Sequence, residues 1–216
     1  MARILFTSGP TRQYLDPVRY LTNASSGRMG LALVEAALAG GHEAVVVSGP
    51  VEITYPAAAR VIPVLTTDEM LAAARAEFPQ CDGLIGVAAP CDYKPTKVED
   101  HKIAKTGEPL TLQLIETPDI VATLGNECRQ QSSPQWVVGF ALETDDRHFR
   151  AVTKLQKKSC DLIVLNGPEA MNALTNDVEI LDRTGAVVAK FQGSKNDVAR
   201  GIFGEIQSRL IENRSS

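Results

Sequence analysis

The feature that most constrains the fold is a rhythm in which short runs, apolar throughout, are spaced by stretches with helical periodicity. The runs are "RILFTS" (3–8), "EAVVVS" (43–48), "RVIPVL" (60–65), "DGLIGVA" (82–88), "WVVGFAL" (136–142) and "DLIVLN" (161–166). A strand with one wet face alternates apolar and polar residues; a strand buried on both faces does not, and such strands belong chiefly to parallel sheets covered by helices. The intervening segments near 26–40, 67–78, 118–131 and 145–159 supply the helices. Several open on N-terminal signals: Ser25/Ser26, Thr67-Asp68 and Thr117-Pro118-Asp119. The pattern predicts an α/β domain, Rossmann-like and doubly wound about a mostly parallel sheet. Two segments break the rhythm. "LTLQLIE" (110–116) reads as an extra strand or arm, and "DVEILDRTGAVVAKFQ" (177–192) as a β-hairpin turning at Arg183-Thr184-Gly185. An amphipathic helix over 194–211 closes the chain. No linker divides the 216 residues, so a single domain over 1–216 is expected, with 210–216 a frayed tail.

In open α/β sheets ligands bind beyond the carboxyl ends of the strands, so the loops at the ends of the runs matter most. The first run leads into a long loop, "SGPTRQYLDPVRYLTNASSGRMG" (8–30), in place of a short glycine turn. With neither G-x-G-x-x-G nor G-x-x-x-x-G-K-[ST], the chain is not read as an NAD-binding reductase or a P-loop NTPase. The loop holds Arg12 and Arg19, then Asn23, and reaches a helix start at Ser25, Ser26 and Gly27, where free N–H groups and the dipole favour an anion. Ser25 and Ser26 read equally well as plain caps. Asn23 can donate to an oxyanion or accept from an amine. After "DGLIGVA" a second loop carries Asp92, Tyr93, Lys94, Lys97, Lys102 and Lys105, either a solvated charge run or a site for a nucleoside triphosphate and its metal. Lys154 and Lys158 share a helix face with Lys157 nearby, a repulsion that an anion would relieve. The formal net charge of -4 argues against nucleic acid or an anionic membrane as partner, so any basic site is local. The four cysteines are scattered without a C-x-x-C pair or a nearby histidine at zinc-ligand spacing. No apolar stretch approaches the roughly 18 residues of a membrane span. The chain enters its first strand at once, with no signal peptide ahead of it, and a cytoplasmic location is expected. From the residues alone, this is an α/β protein that binds a phosphorylated anion through unusual loops.

"TSGPTRQYLDPVRYLTNASSGRMG" closely resembles the signature of the phosphopantothenoylcysteine synthetase family, in which Gly-x-Thr-Arg and "LDPVR" lead into an "N-x-S-S-G-x-M-G" helix start. The likeness continues in order through "SGP" (48–50), "AAPCDYKP", "HKIAK", "TPDIV", "VGFALET", the lysine-bearing helix and "DLIVLN", over roughly residues 3–170. The resemblance implies a ligase that joins L-cysteine to 4′-phosphopantothenate in coenzyme A biosynthesis through an acyl-nucleotide intermediate. CTP is the favoured nucleotide and ATP the alternative. Mg²⁺ is implied with the triphosphate, and neither flavin nor NAD. Asn23 matches the asparagine that binds the intermediate and Lys102 the lysine that stabilises charge. Gly86, Val87, Ala88, Asp92, Lys102, Pro118, Asp119, Ile120, Val121, Phe140, Lys154 and Lys158 match nucleotide-site positions. Arg12, Arg19, Ser25, Ser26 and Gly27 fall to the substrate-phosphate loop. A homodimer is implied, with "LTLQLIE" as the candidate arm because an isolated strand would leave an unpaired edge. Many bacterial members carry a flavin-dependent decarboxylase ahead of this domain; the chain reads as a monofunctional form.

The sequence departs from the family pattern at three places. Ala-Ala-Pro-Cys-Asp-Tyr replaces Ala-Ala-Val-Ala-Asp-Tyr, so Pro90 removes a backbone donor. "KIAK" replaces "KIKK", and "GPEAMNALTND" (167–177) differs from the corresponding loop. A non-catalytic nucleotide-binding module of the same fold is the alternative, which the presence of both Asn23 and Lys102 disfavours.

Overall fold

The computed structural model describes residues 1–132, 134–142, 146–166 and 175–213. Six parallel strands form the centre of the sheet: β1 (Arg3–Ser8), β4 (Glu43–Ser48), β5 (Arg60–Pro63), β6 (Gly83–Gly86), β9 (Trp136–Leu142) and β10 (Leu162–Asn166). They stand in the order β5-β4-β1-β6-β9-β10. The chain winds outward from β1 in one direction, then returns and winds outward from β6 in the other. The junction of β1 and β6 is therefore the topological switch point, where such sheets bind ligands.

The uninterrupted apolar runs of the inner strands arise from burial on both faces, whereas β5, at the sheet edge, leaves Val61 exposed. Successive side chains of a strand point to opposite sides. Ile4 and Phe6 of β1 pack toward α1 (Arg28–Ala39) and α5 (Lys195–Ile206), among Leu33, Val34, Ile202, Phe203 and Ile206. Leu5 points the other way, toward α2 (Thr67–Glu77), α3 (Ile120–Gln130) and α4 (Arg147–Lys157), with Met70, Leu124 and Leu155. Each of these large side chains is at most 2% exposed except Phe203 at 3%, and full burial of one contributes about 1.5–3 kcal/mol.

The expected hairpin is present as β11 (Thr175–Asp182) and β12 (Val187–Ser194), and it extends the sheet. β11 pairs antiparallel with β10, giving eight strands in all. Three sequence expectations are corrected. The arm at 110–116 is not an isolated strand: only Leu114–Glu116 (β8) is extended, and it pairs antiparallel with β7 (Tyr93–Pro95). The long opening loop contains a hairpin, β2 (Arg12–Asp16) and β3 (Arg19–Thr22), turning at Pro17-Val18. The tail does not fray from 210, because the winding continues through Gln207–Glu212 and Leu210 is 9% exposed.

Helix starts shift for local reasons. Gly27 sits at φ 73°, a left-handed conformation that glycine adopts without strain, so α1 begins at Arg28 rather than 26. Thr66 caps α2, its hydroxyl accepting the Glu69 N–H, and Asp119 caps α3 by accepting from the Ala122 N–H.

Gly125 marks the closest approach of α3 to the end of α4. A Cβ there would lie 2.1 Å from the Lys158 carbonyl oxygen, which is backbone and cannot rotate away. Gly125→Ala is expected to cost about 1–3 kcal/mol through overpacking, read as a lower urea midpoint; an unchanged midpoint would contradict this packing.

Candidate functional site

At the switch point the chain segments leaving β1 and β6 are joined to each other. Pro10 bridges to Ala89 in parallel, and the Ala89 N–H donates to the Gly9 carbonyl at 3.0 Å. The Cys91 N–H donates to Thr11 Oγ1 at 2.8 Å, and Thr117 Oγ1 donates to the Cys91 carbonyl at 2.7 Å. Asn23 completes the junction, its Nδ2 donating to the carbonyls of Pro90 (2.8 Å) and Ala89 (3.3 Å). Pro90 lacks a donor, yet its carbonyl is used. With the amino end of Asn23 engaged, the carboxamide oxygen is the end that can accept from a ligand.

Two hollows open above this junction and abut. The first, about 360 Å³, is walled by Gly86, Ala88 and Asp92, by Glu116 to Val121 at the start of α3, by Phe140, and by Lys157 and Lys158. The second, about 380 Å³, runs from Asn23 past Ser25, Ser26, Gly27 and the start of α1, by Val87 and Lys154, to Asn166, Asn176 and Lys195. Ala88, Pro90, Asp92 and Phe140 wall both. A ligand with two parts can therefore lie across this seam. The positive ends of two helices, α1 and α3, meet the same space.

The cations divide between the hollows. Lys158 closes α4 and pairs with Asp119 Oδ2 at 3.1 Å, which also fixes the cap of α3. Lys154, one turn back, lines the second hollow instead. Their shared face thus serves two compartments.

Several expected site residues lie elsewhere. Ser25 and Ser26 line the second hollow but do not cap α1, because Gly27 holds that position; Ser25 Oγ instead accepts weakly from the Gly27 N–H at 3.4 Å. Arg12 stacks over the Tyr20 ring, 4.5 Å from its centroid. Arg19 pairs with Asp16 at 3.3 Å and donates to the Ile103 carbonyl at 3.0 Å. Both arginines brace the β2–β3 hairpin and neither is among the residues walling the two hollows. Lys102 is exposed and lines a third cavity, of about 560 Å³, with Leu15, Pro95, Leu110 and Leu112, which shares no residue with the other two. Arg28, Asn166, Asn176 and Lys195 carry no sequence signal that marks them for the site. Lys195 and Asn176 come to the cleft only because β11 adds to β10, a long-range pairing. The loop expectation at 167–177 falls largely outside the described residues.

Among the described residues no three His, Cys, Asp or Glu side chains converge to hold a metal. Asp92 stands at the seam and lines both hollows.

Asp16 ties the Lys102 segment to the opening hairpin. It is fully buried, and it accepts the N–H groups of Val18 and Arg19 (2.8 Å each) and of Ile103 (3.0 Å). Burial pushes its carboxyl up, but these three donors and the Arg19 guanidinium outweigh it and hold the group below its ordinary value.

Residues 1–210 match the family described as the DNA/pantothenate metabolism flavoprotein C-terminal domain. The chain is 42% identical over 216 residues to the coenzyme A biosynthesis bifunctional protein CoaBC of Escherichia coli (strain K12), covering 97% of this chain and 52% of that protein. It spans about half the length of the curated relatives it matches. A crystal structure of the C-terminal domain of a coenzyme A biosynthesis bifunctional protein CoaBC shares 34% identity at a TM-score of 0.80, covering 97% of this chain and 98% of that one. A Cab2 mutant in complex with phosphopantothenate-cysteine has the same fold, at a TM-score of 0.80 and 17% identity, over 99% of this chain and 89% of that one. Among the described residues no helix is long and apolar enough to cross a membrane.

The Asp16 clamp has a pH signature. A carboxyl depressed on folding contributes above its unfolded value near pH 4 and loses that contribution as pH falls through the folded value. The anchor of Ile103 should therefore persist from neutral pH through the ordinary carboxylate range and fail only as pH falls through the lower folded value. Asp16→Asn should expose the Ile103 amide to hydrogen exchange at pH 7; protection equal to wild type would contradict the clamp.

Proposed function

Because this chain belongs to the family of DNA/pantothenate metabolism flavoprotein C-terminal domains, we propose that it is a phosphopantothenate–cysteine ligase that acts in coenzyme A biosynthesis. The observation that carries the reading is the pair of abutting hollows at the sheet's switch point, sharing Ala88, Pro90, Asp92 and Phe140. A ligase with an acyl-nucleotide intermediate needs this arrangement, because nucleoside and acyl group occupy separate pockets while the atoms they exchange meet between them.

In this reading the nucleoside lies in the first hollow, along Gly86 and Ala88 and over Pro118 to Val121 at the start of α3. Val87, Lys154 and Lys158 complete the nucleotide set. The carboxylate of 4′-phosphopantothenate enters from the Asn23 side. Its oxygen attacks the α-phosphorus, the bond from that phosphorus to the bridging oxygen of the β-phosphate breaks, and pyrophosphate leaves with the electron pair. The amine of cysteine then adds to the activated carbonyl and the nucleoside monophosphate departs. Asn23 Oδ1 receives an N–H of the incoming amine, and the N–H groups of α1 near Ser25, Ser26 and Gly27 meet phosphate charge. Mg²⁺ bound to the nucleotide would neutralise the triphosphate and favour pyrophosphate as leaving group, with Asp92 the residue beside it. CTP is the nucleotide favoured by the family resemblance.

Lys102, exposed away from both hollows, meets the reacting groups when a second copy of the chain presents it. Leu110, Leu114 and Ile115 are 60%, 40% and 47% exposed, which suits a dimer built on this ribbon. Cys81, Cys91, Cys128 and Cys160 all stand as thiols rather than disulfides, and none lines the two hollows, which suits cysteine as substrate rather than catalytic residue.

A side-by-side assay with CTP and ATP should show pyrophosphate release that requires 4′-phosphopantothenate, faster with CTP, followed by cysteine-dependent release of the monophosphate. Release with neither nucleotide would refute the ligase. Asn23→Ala should lower kcat by roughly 100-fold while leaving CTP affinity within about threefold. Unchanged turnover would remove Asn23 from the reaction.

A further inference from the structure

The wall of the second hollow farthest from Asn23 carries charge that the nucleoside and acyl groups leave unused. Asn176 on β11 is 3% exposed and accepts from Lys195 Nζ at 3.0 Å, so the first residue of α5 is held with its ammonium at the cleft. Arg28, the first residue of α1, lines the same cleft. Burial first, and the Arg28 charge second, push the Lys195 ammonium below its ordinary value. Asn166 Oδ1 on the same wall is buried with no hydrogen-bond partner among the described residues. The oxygen and nitrogen of an amide exchange by a flip of the side chain, so Asn166 can turn its NH₂ toward an anion. Lys195 is half-buried and Arg28 exposed, and two cations lining one cleft suit an anion between them.

The direction of the reaction says which anion. In phosphoryl and nucleotidyl transfer the attacking and leaving oxygens lie roughly in line on either side of phosphorus. If the acyl oxygen attacks from the Asn23 side, pyrophosphate must depart away from it. Asn23 is bonded to the chain leaving β6, whereas Asn176 is on β11, three strands away in the sheet order, or about 14 Å at the usual strand spacing. The cleft runs continuously between the two, past the N-terminus of α1.

We propose that Lys195, held by Asn176 and joined by Arg28, binds the β- and γ-phosphates of the nucleotide and then the departing pyrophosphate. The inference rests on the nucleotide reading of the site, yet its test needs no turnover. The probes are inorganic pyrophosphate, CTP and CMP, titrated calorimetrically into the whole chain with Mg²⁺. Lys195→Gln should weaken pyrophosphate and CTP roughly 10- to 100-fold, as expected for loss of a charge-assisted contact, and leave CMP within about twofold. Lys195→Arg should recover part of the loss. No heat with pyrophosphate in the wild type, equal losses for CTP and CMP, or no change for any ligand would overturn the proposal. So would a loss confined to the affinity for 4′-phosphopantothenate, titrated in the same way, which would place that substrate's phosphate beside Lys195. Pyrophosphate binding through Lys195 without amide formation would instead count against the ligase reading alone.

Discussion

The site depends on the junction between the chain leaving β1 and the chain leaving β6. Parallel strands end with their carbonyls pointing out of the sheet, and at a switch point the two chains diverge and leave a crevice between them. Here the crevice floor is made by Pro10 against Ala89 and by the Asn23 carboxamide on the carbonyls of Ala89 and Pro90. Thr11 adds a second tie to Cys91, and Thr117 a third from the start of α3. These backbone groups are part-buried, and leaving such a group unpaired costs up to about 1–3 kcal/mol. The groups that satisfy them also fix the seam between the two hollows, so folding and function draw on the same hydrogen bonds.

Charge is then distributed around that seam. α1 and α3 bring N-terminal ends to it, while α4 supplies Lys154 to one hollow and Lys158 to the other. The pairing of Lys158 with Asp119 holds a half-buried cation at the wall of the first hollow. The acidic background of the chain makes this local concentration of positive charge the more pronounced.

Much of this is legible in the amino-acid sequence. β1, β4 and β9 begin and end where their apolar runs do, because strands buried on both faces announce themselves by composition alone. Asn23, Asp92, Phe140, Lys154 and the Pro118–Val121 start of α3 line the two abutting hollows. The β2–β3 hairpin is not legible, because its inward residues are Thr11, Gln13 and Asp16, polar groups that hydrophobic periodicity cannot see. The Asp16-Pro17 pair, a turn signal, is the available clue. Arg12 and Arg19 look like phosphate ligands because a cation in a loop advertises charge but not its partner; Tyr20 and Asp16, close in sequence, take them up. Lys195 and Asn176 stay hidden because they reach the cleft through pairing of β11 with β10, which no local pattern specifies.

The central claim is that acyl and nucleotidyl groups are joined across the seam as a mixed anhydride. Transfer of label tests it directly. With 4′-phosphopantothenate carrying ¹⁸O in its carboxylate, one labelled oxygen should appear in the nucleoside monophosphate after amide formation, because that oxygen stays on the α-phosphorus when the amine displaces it. Label found in inorganic phosphate, or absent from the monophosphate, would contradict the account.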